Sequence, residues 1–492
     1  MKIYNGYKRL NDNYSLITDA YEHNMGSVYL KARKDNQEAV FDVFFRRVPN
    51  GGGYAIMAGV DKIIEFINNL KFEERELDYF KRNGYDEDYI NYLKNFKFKG
   101  DIYAIPDGTP VFPNEPLVTV KAPLIDAQII ETALLSIVNG AMEHATGAKR
   151  IIEATPKNVP VMEFGSRRAD GLDASIDSAI YGIMAGCAGT SNIHAANMLN
   201  INALGTMAHS FVESFESEFE AFKTWADIFP NNCNLLVDTY DTLRSGIPNA
   251  IKTFKYLKEK GINSNNIGIR IDSGDLAYLS KVARNMLDNA GFTNAKICLS
   301  NGLTAETIES LILQGAKFDS LGVGDNISKP EGRMGCVYKE VALKEKDKFV
   351  PKIKVSNDSI KTINPAFKNL YRAYDKTTGL AIVDIMCERS ENVNTNNLLI
   401  ISPIDNMKNM VINNFYLRKL QEPIFINGEL VYDDKDIFEK QKYCNDEMKT
   451  IYEEVKRLKN PHEYYVDGTE KYINLKNDLI KETKDKVLKL ER

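Results

Sequence analysis

Between residues 126 and 335 one pattern recurs along the sequence. A short apolar run ends in polar or glycine-rich residues, and a segment of different character follows. The runs are VPVMEFG (159–165), NALGTMA (202–208), NLLVDTY (234–240), GIRIDSG (268–274), AKICLSN (295–301) and DSLGVGD (319–325). Between them stand segments such as TLRSGIPNAIKTFKYLKEKG and LAYLSKVARNMLDNAG, whose apolar residues have helical spacing. Continuous apolar strands alternating with helices specify a parallel sheet covered on both faces. Six such units predict an irregular TIM-like α/β barrel rather than an open sheet. In that architecture the loops after the strands gather at one face and build the active site. Every run here ends in residues able to carry chemistry: EFGSRR, GTMAHS, DTYD, RIDSGD, SNG and GVGD.

The flanking sequence reads differently. Residues 1–125 include a strand-like AVFDVFFRRV, a glycine-rich turn at Asn50–Gly53 and the helical spacing of AIMAGVDKIIEFINNL. DIYAIPDGTPVFPNEPLVTVKAPL alternates between prolines and predicts short antiparallel strands. Residues 336–412 return to strand-like alternation. Together 1–125 and 336–412 are expected to form a discontinuous α/β open-faced sandwich domain with antiparallel strands. Residues 126–335 are expected to be the barrel, and 413–492 a charged, mostly helical C-terminal region. Three parts agree with the prior that 492 residues set.

Charge and composition narrow the function. Lys+Arg is 63 and Asp+Glu is 68, a net charge of −5, which argues against nucleic-acid binding by bulk positive charge. No apolar run approaches the ~20 residues of a membrane helix. The start, MKIYNGYKRL, has no apolar signal segment, so a cytoplasmic location without membrane attachment is expected. The six cysteines are scattered without a CxxC pair, so neither zinc nor a disulfide framework is expected. Nothing in the sequence asks for haem or flavin. Only five histidines compete for a reactive role.

The strand ends supply the candidates. Arg270 and Asp272, two apart, point to one side of a strand. An arginine there can clamp an anion, and a carboxylate can take a hydroxyl or Mg²⁺. Ser273–Gly274–Asp275 opens a helix, with Ser or Asp as its cap. SNGLTAE and LGVGDNI place glycines where backbone N–H groups can approach a phosphate. In EFGSRR, Phe164 offers a stacking face beside Arg167 and Arg168, which can hold a flat acid. His209 follows the end of GTMA, and Asp238 in LLVDTYD lies on the following strand. That pairing suits a nucleophilic or basic imidazole. His194 is expected on a helix, and His23, His144 and His462 have no comparable neighbours.

These residues stand in longer stretches that resemble one family. LITDAYEHNM, FFRRVPNGGGYAIMAGVD, EFGSRRADG, AGTSN, GTMAHSF, VDTYDT, RIDSGDLA, GVGDNI, GCVYKEV and NPHEYYVDGTEKYINLKNDLI resemble nicotinate phosphoribosyltransferases of NAD salvage, type II phosphoribosyltransferases, over nearly the whole chain. The resemblance implies formation of nicotinate mononucleotide and pyrophosphate from nicotinate and 5-phosphoribosyl 1-diphosphate. It also implies Mg²⁺, and coupling to ATP hydrolysis through a phosphohistidine. It casts His209 as that histidine and Asp238 as the acid that orients it. Tyr21 matches an aromatic supplied across a homodimer interface, stacking on the pyridine ring opposite Phe164. Arg46 or Arg47 would likewise reach a partner's site. Arg167, Thr206 and Arg270 match positions holding nicotinate and neighbouring phosphates. Asp272, with Ser273 beside it, belongs to the ribose and metal region. Gly302, Gly322, Gly324 and Asp325 match the sugar-phosphate loops, although Asp325 stands where the family often has Thr. Relatives that use nicotinamide carry an acid where this chain has Ser191, which points to nicotinate as substrate. The alternatives are a nicotinamide phosphoribosyltransferase, another type II enzyme, or a barrel protein without turnover.

Overall fold

The computed structural model describes residues 14–262, 266–355 and 362–490. The chain divides into two compact units. One takes the residues up to Met142, Gly332–Asp436 and the residues from Asp446 onward; the other takes Glu143–Glu331 and Ile437–Asn445.

The second unit is built on six strands: β1 (Val161–Glu163), β2 (Gly189–Thr190), β3 (Cys233–Leu236), β4 (Ile267–Ile271), β5 (Lys296–Leu299) and β6 (Ser320–Val323). All paired neighbours run parallel, in the order β2-β1-β6-β5-β4-β3. The first strand pairs with the last, which is the neighbour relation of a barrel ring. Among the described residues that ring is open between β2 and β3. Leu235, Leu236, Ile269, Ile271, Ile297, Leu299, Leu321 and Val323 are all buried, as continuous apolar strands require.

Five of the six expected strands are present, and NALGTMA is the exception. Residues 201–208 form no ladder and make a single strand-like bond, from Leu204 N–H to Thr190 C=O at 2.8 Å. Asn200 turns the chain at φ 53° just before the run. Gly205 and the scarcity of β-branched residues weaken it as a strand. The missing place is taken by β2, two residues long and too short to read as an apolar run.

The polar residues after the strands divide between two tasks. Some cap helices: Asp275 accepts the Tyr278 N–H at 2.9 Å to open Leu276–Asn289, and Asn192 accepts the Ala195 N–H at 3.0 Å to open Ile193–Met198. Thr304 and Thr307 cap Ala305–Leu313 reciprocally. Others stay free for the site. After β3 the chain makes a π-helical turn, Thr242–Gly246, before the helix Ile247–Glu259. A Cβ on Gly246 would lie 1.7 Å from the Val237 carbonyl oxygen, so glycine alone permits this approach to the end of β3. Gln441 donates to the Ile183 and Cys187 carbonyls at 2.5 and 3.1 Å. These groups lie at the end of the helix Leu172–Ala185, where the Ile183 carbonyl also accepts the Gly186 N–H at 3.0 Å.

The first unit is dominated by two sheets. Seven antiparallel strands run in the order Lys348–Pro351, Val337–Glu345, Glu38–Phe44, Val118–Pro123, Asp101–Ala104, Glu422–Ile426 and Glu429–Leu430. AIMAGVDKIIEFINNL splits: Ala55–Ile56 pairs with Pro110–Val111, and the helix begins only at Val60. Gly59, at φ 104°, makes the break. The other sheet has six strands and includes Lys368–Asp375, Ala381–Glu388, Phe415–Lys419 and Val466–Thr469. Thus the stretch after residue 412 contributes strands to both sheets as well as the helices Ile437–Lys449 and Glu470–Leu490.

Candidate active site

The C-terminal ends of β3, β4 and β5 meet the segment 206–209 in one hydrogen-bonded cluster. Arg270 and Asp272 do face the same way, as strand periodicity requires. Their side chains pair at 3.0 Å, Nη2 to Oδ1. Arg270 Nε donates to Ser300 Oγ at 2.8 Å, and Nη1 donates to Thr206 Oγ1 at 3.4 Å. Ser300 in turn donates to Asp272 Oδ1. The guanidinium lies 5.7 Å from the centroid of the Phe164 ring, within cation–π reach. The ring is seated on glycine: a Cβ on Gly322 would lie 2.6 Å from it. Gly324 is tight against the Phe164 carbonyl, where a Cβ would approach to 3.1 Å.

His209 opens the short helix His209–Glu213. Its Nδ1 is 3.1 Å from Thr239 Oγ1. Nε2 faces two carboxylates, 4.0 Å from Asp238 Oδ1 and 3.9 Å from Asp272 Oδ2. The expected direct bond from Asp238 to the imidazole is therefore absent. Asp238 Oδ2 is instead committed to the Asp272 N–H at 3.0 Å and the Ser273 hydroxyl at 2.5 Å. Its other oxygen is buried without a hydrogen-bond partner and points a charge at the site. His209 is partly exposed, whereas the Asp238 side chain is buried.

The remaining candidates lie around this cluster or apart from it. Arg167 is exposed on the turn Ser166–Arg168. Asp325 pairs with Arg168 at 3.2 Å, Nε to Oδ1, with both side chains about half exposed. Gly302 follows β5 at φ 56°. Ser191 gives its N–H to the Glu163 carbonyl at 2.9 Å. Tyr21, Arg46 and Arg47 belong to the other compact unit. There Tyr21 is 46% exposed, and burial followed by the nearby Glu131 carboxylate raises its pKa. Among the described residues no three His, Cys, Asp or Glu side chains form a ready-made metal site. Ser300 and Thr239 were missed in the sequence. They stand in SNG and VDTYD, where a lone serine or threonine is less distinctive than the neighbouring glycine or aspartate.

Models of the nicotinate phosphoribosyltransferase N-terminal domain, family and C-terminal domain match residues 16–139, 159–378 and 367–476. A nicotinate phosphoribosyltransferase of Bacillus subtilis is 42% identical over 486 residues, 98% of each chain. The chain belongs to the nicotinate phosphoribosyltransferase family. One from Mycobacterium tuberculosis is 37% identical over 391 residues, covering 78% of this chain and 81% of that one. The fold is also that of the human nicotinic acid phosphoribosyltransferase crystal structure: TM-score 0.84, 24% identity, 94% of this chain and 99% of that one.

Proposed function

We propose that this chain transfers the phosphoribosyl group of 5-phosphoribosyl 1-diphosphate to the ring nitrogen of nicotinate, releasing pyrophosphate, as a cytoplasmic enzyme of NAD salvage. The observation that carries the reading is the Arg270 guanidinium, bonded to three chain segments and held beside the Phe164 ring. A flat anionic acid needs that combination of stacking surface and fixed positive fork.

Displacement at the ribose C1 passes through a state of oxocarbenium character, as in glycoside chemistry. Nicotinate attacks with a ring nitrogen that carries no proton, so the step needs no general base. The site's task is to align the ring and to stabilise the departing pyrophosphate. Phe164 and Arg270 align the ring, with Arg167 and Thr206 beside them. Gly302 and Gly324, just past β5 and β6, are where backbone amides would meet the sugar phosphate, with Gly322 seating the Phe164 ring behind them and Ser273 and Asp325 at the edge. Mg²⁺, when bound, neutralises charge on the pyrophosphate. Asp272 and the unpartnered oxygen of Asp238 fit it, because Mg²⁺ takes one or two carboxylates and completes its shell from substrate phosphates and water.

His209 is then available for coupling to ATP. With Nδ1–H donating to Thr239, Nε2 keeps its lone pair and can attack the γ-phosphorus of ATP, forming the N–P bond as the bond to the bridging oxygen breaks and ADP leaves. Asp238 and Asp272 flank that nitrogen at 4.0 and 3.9 Å. Tyr21, and Arg46 or Arg47, reach the site of a second copy in a homodimer.

The test is turnover of labelled nicotinate with phosphoribosyl diphosphate and Mg²⁺, with and without ATP. Nicotinate is used in preference to nicotinamide, because Ser191 presents no charge to the substrate carboxylate. ATP raises turnover, and His209→Ala abolishes that stimulation together with any acid-labile phosphoprotein. ATP stimulation that survives the substitution would overturn the coupling role.

A further inference from the structure

Glu163 is the last residue of β1 and is fully buried. Its side chain projects away from that of Phe164, the next residue, so it lies behind the site rather than in it. Its two carboxyl oxygens serve different chain segments. Oε1 accepts the Gly165 N–H at 2.5 Å, and Oε2 accepts the Thr190 hydroxyl at 2.5 Å. The Glu163 carbonyl takes the Ser191 N–H at 2.9 Å, and Thr190 Oγ1 also accepts the Asn192 N–H at 2.9 Å. The fit is close: a Cβ on Gly165 would lie 2.7 Å from Glu163 Oε1 and 2.6 Å from Ser328. Among the described residues no cation pairs with this carboxyl. Burial raises its pKa, while the bonds from Thr190, Gly165 and Ser178 oppose that shift. A buried acid without a counter-charge is costly, and packing alone is served better by an apolar side chain.

We propose that Glu163 is a positioning residue for the pyridine ring. It ties the turn that carries Phe164 to the strand end that carries Ser191. It thereby sets the spacing between the stacking face and the residue that meets the substrate's carboxylate. The inference rests on the reading of Phe164 and Ser191 as nicotinate contacts.

Glu163→Leu removes both acceptors at similar volume, whereas Glu163→Gln can still accept from Gly165 and can donate its NH₂ to Thr190 Oγ1, so it is the conservative control that keeps the tie. Thr190→Val removes the other end of the same bond. Glu163→Leu and Thr190→Val are each expected to raise the KM for nicotinate about tenfold, with kcat and the KM for phosphoribosyl diphosphate unchanged within about twofold. The double variant should be no worse than the poorer single one, because both break one interaction. An unchanged nicotinate KM overturns the proposal. So does a rise shared equally by both substrates, which marks a general loss of structure. Phe164→Ala separates the two layers of the argument. If it raises the nicotinate KM and Glu163→Leu does not, the role of Glu163 falls. If it leaves that KM unchanged, the reading of the ring site falls.

Discussion

Arg270 directs its nitrogens to Ser300, Asp272 and Thr206, residues from three different chain segments. A lysine at this position keeps the charge but presents one compact donor group instead of a planar fork. Arg270→Lys is therefore expected to lower kcat/KM for nicotinate about 100-fold, by losing at least one charged hydrogen bond and the ring contact. Steady-state kinetics at fixed phosphoribosyl diphosphate would check it. The pair Arg270 and Asp272 was readable because a strand places alternate residues on one side. Ser300 and Thr239 were not readable as participants. A serine or threonine at a strand end is as often a helix cap as a ligand, and here Thr304, Asp275 and Asn192 are caps. Position in space decides between the two, and one sequence does not contain it. The same holds for Asp238, whose bonds go to Asp272 and Ser273 rather than to the imidazole.

The helix Ala20–Lys31 carries two adjacent buried groups whose titrations oppose each other. Burial raises Glu22 to about 7, against the bonds from Thr132 and Thr18 that lower it; Glu131 and Asp19 add to the rise. Burial lowers His23 to about 4, with its ring against Phe80 and its Nδ1 2.8 Å from the Tyr89 hydroxyl. The native state binds Glu22's proton more tightly than the unfolded chain, so that contribution to stability is lost as pH rises from 4.5 to about 7. His23 binds its proton less tightly when folded, so its contribution is lost as pH falls from 6.5 to about 4. Each slope approaches about 1.4 kcal/mol per pH unit at full strength, and between about pH 4.5 and 6.5 the two offset. Glu22→Gln should therefore leave a protein that weakens steadily below pH 6.5. His23→Phe should leave one that gains stability as pH falls from 7. Urea midpoints measured across that range would check both signs. Neither charge state was legible in the sequence, because burial of adjacent residues on one helix depends on what packs around it. Five of the barrel strands were legible because each lies in a continuous apolar run. The two-residue β2 lies below the length at which periodicity carries information.

Neither large sheet of the first unit can be completed before the strands after residue 412 have been made. The strand Asp101–Ala104 finds one of its partners in Glu422–Ile426, and Lys368–Asp375 finds one of its own in Phe415–Lys419. Val466–Thr469 lies between Ala381–Glu388 and Leu398–Ile401. A chain stopped after residue 412 is expected to expose these edges, which are templates for aggregation. It should fractionate as insoluble protein or be cleaved rapidly in limited proteolysis, unlike the full chain. Composition shows Val466–Thr469 poorly, since charged helices flank it.

The open place in the ring of the second unit has a consequence for motion. Elsewhere the strands are held edge to edge by ladders, which must break together if neighbours are to part. Between β2 and β3 only the Leu204 N–H to Thr190 C=O bond continues the ladder, and Thr206 and His209 follow within five residues. The groups proposed to meet anionic substrates are thus tethered by the weakest seam of the sheet. Amide hydrogen exchange should show Leu204 losing its proton well before Ile269 or Leu299, through local openings far smaller than global unfolding. An opening confined to that seam would leave intact the five-strand ladder from β1 through β6, β5 and β4 to β3.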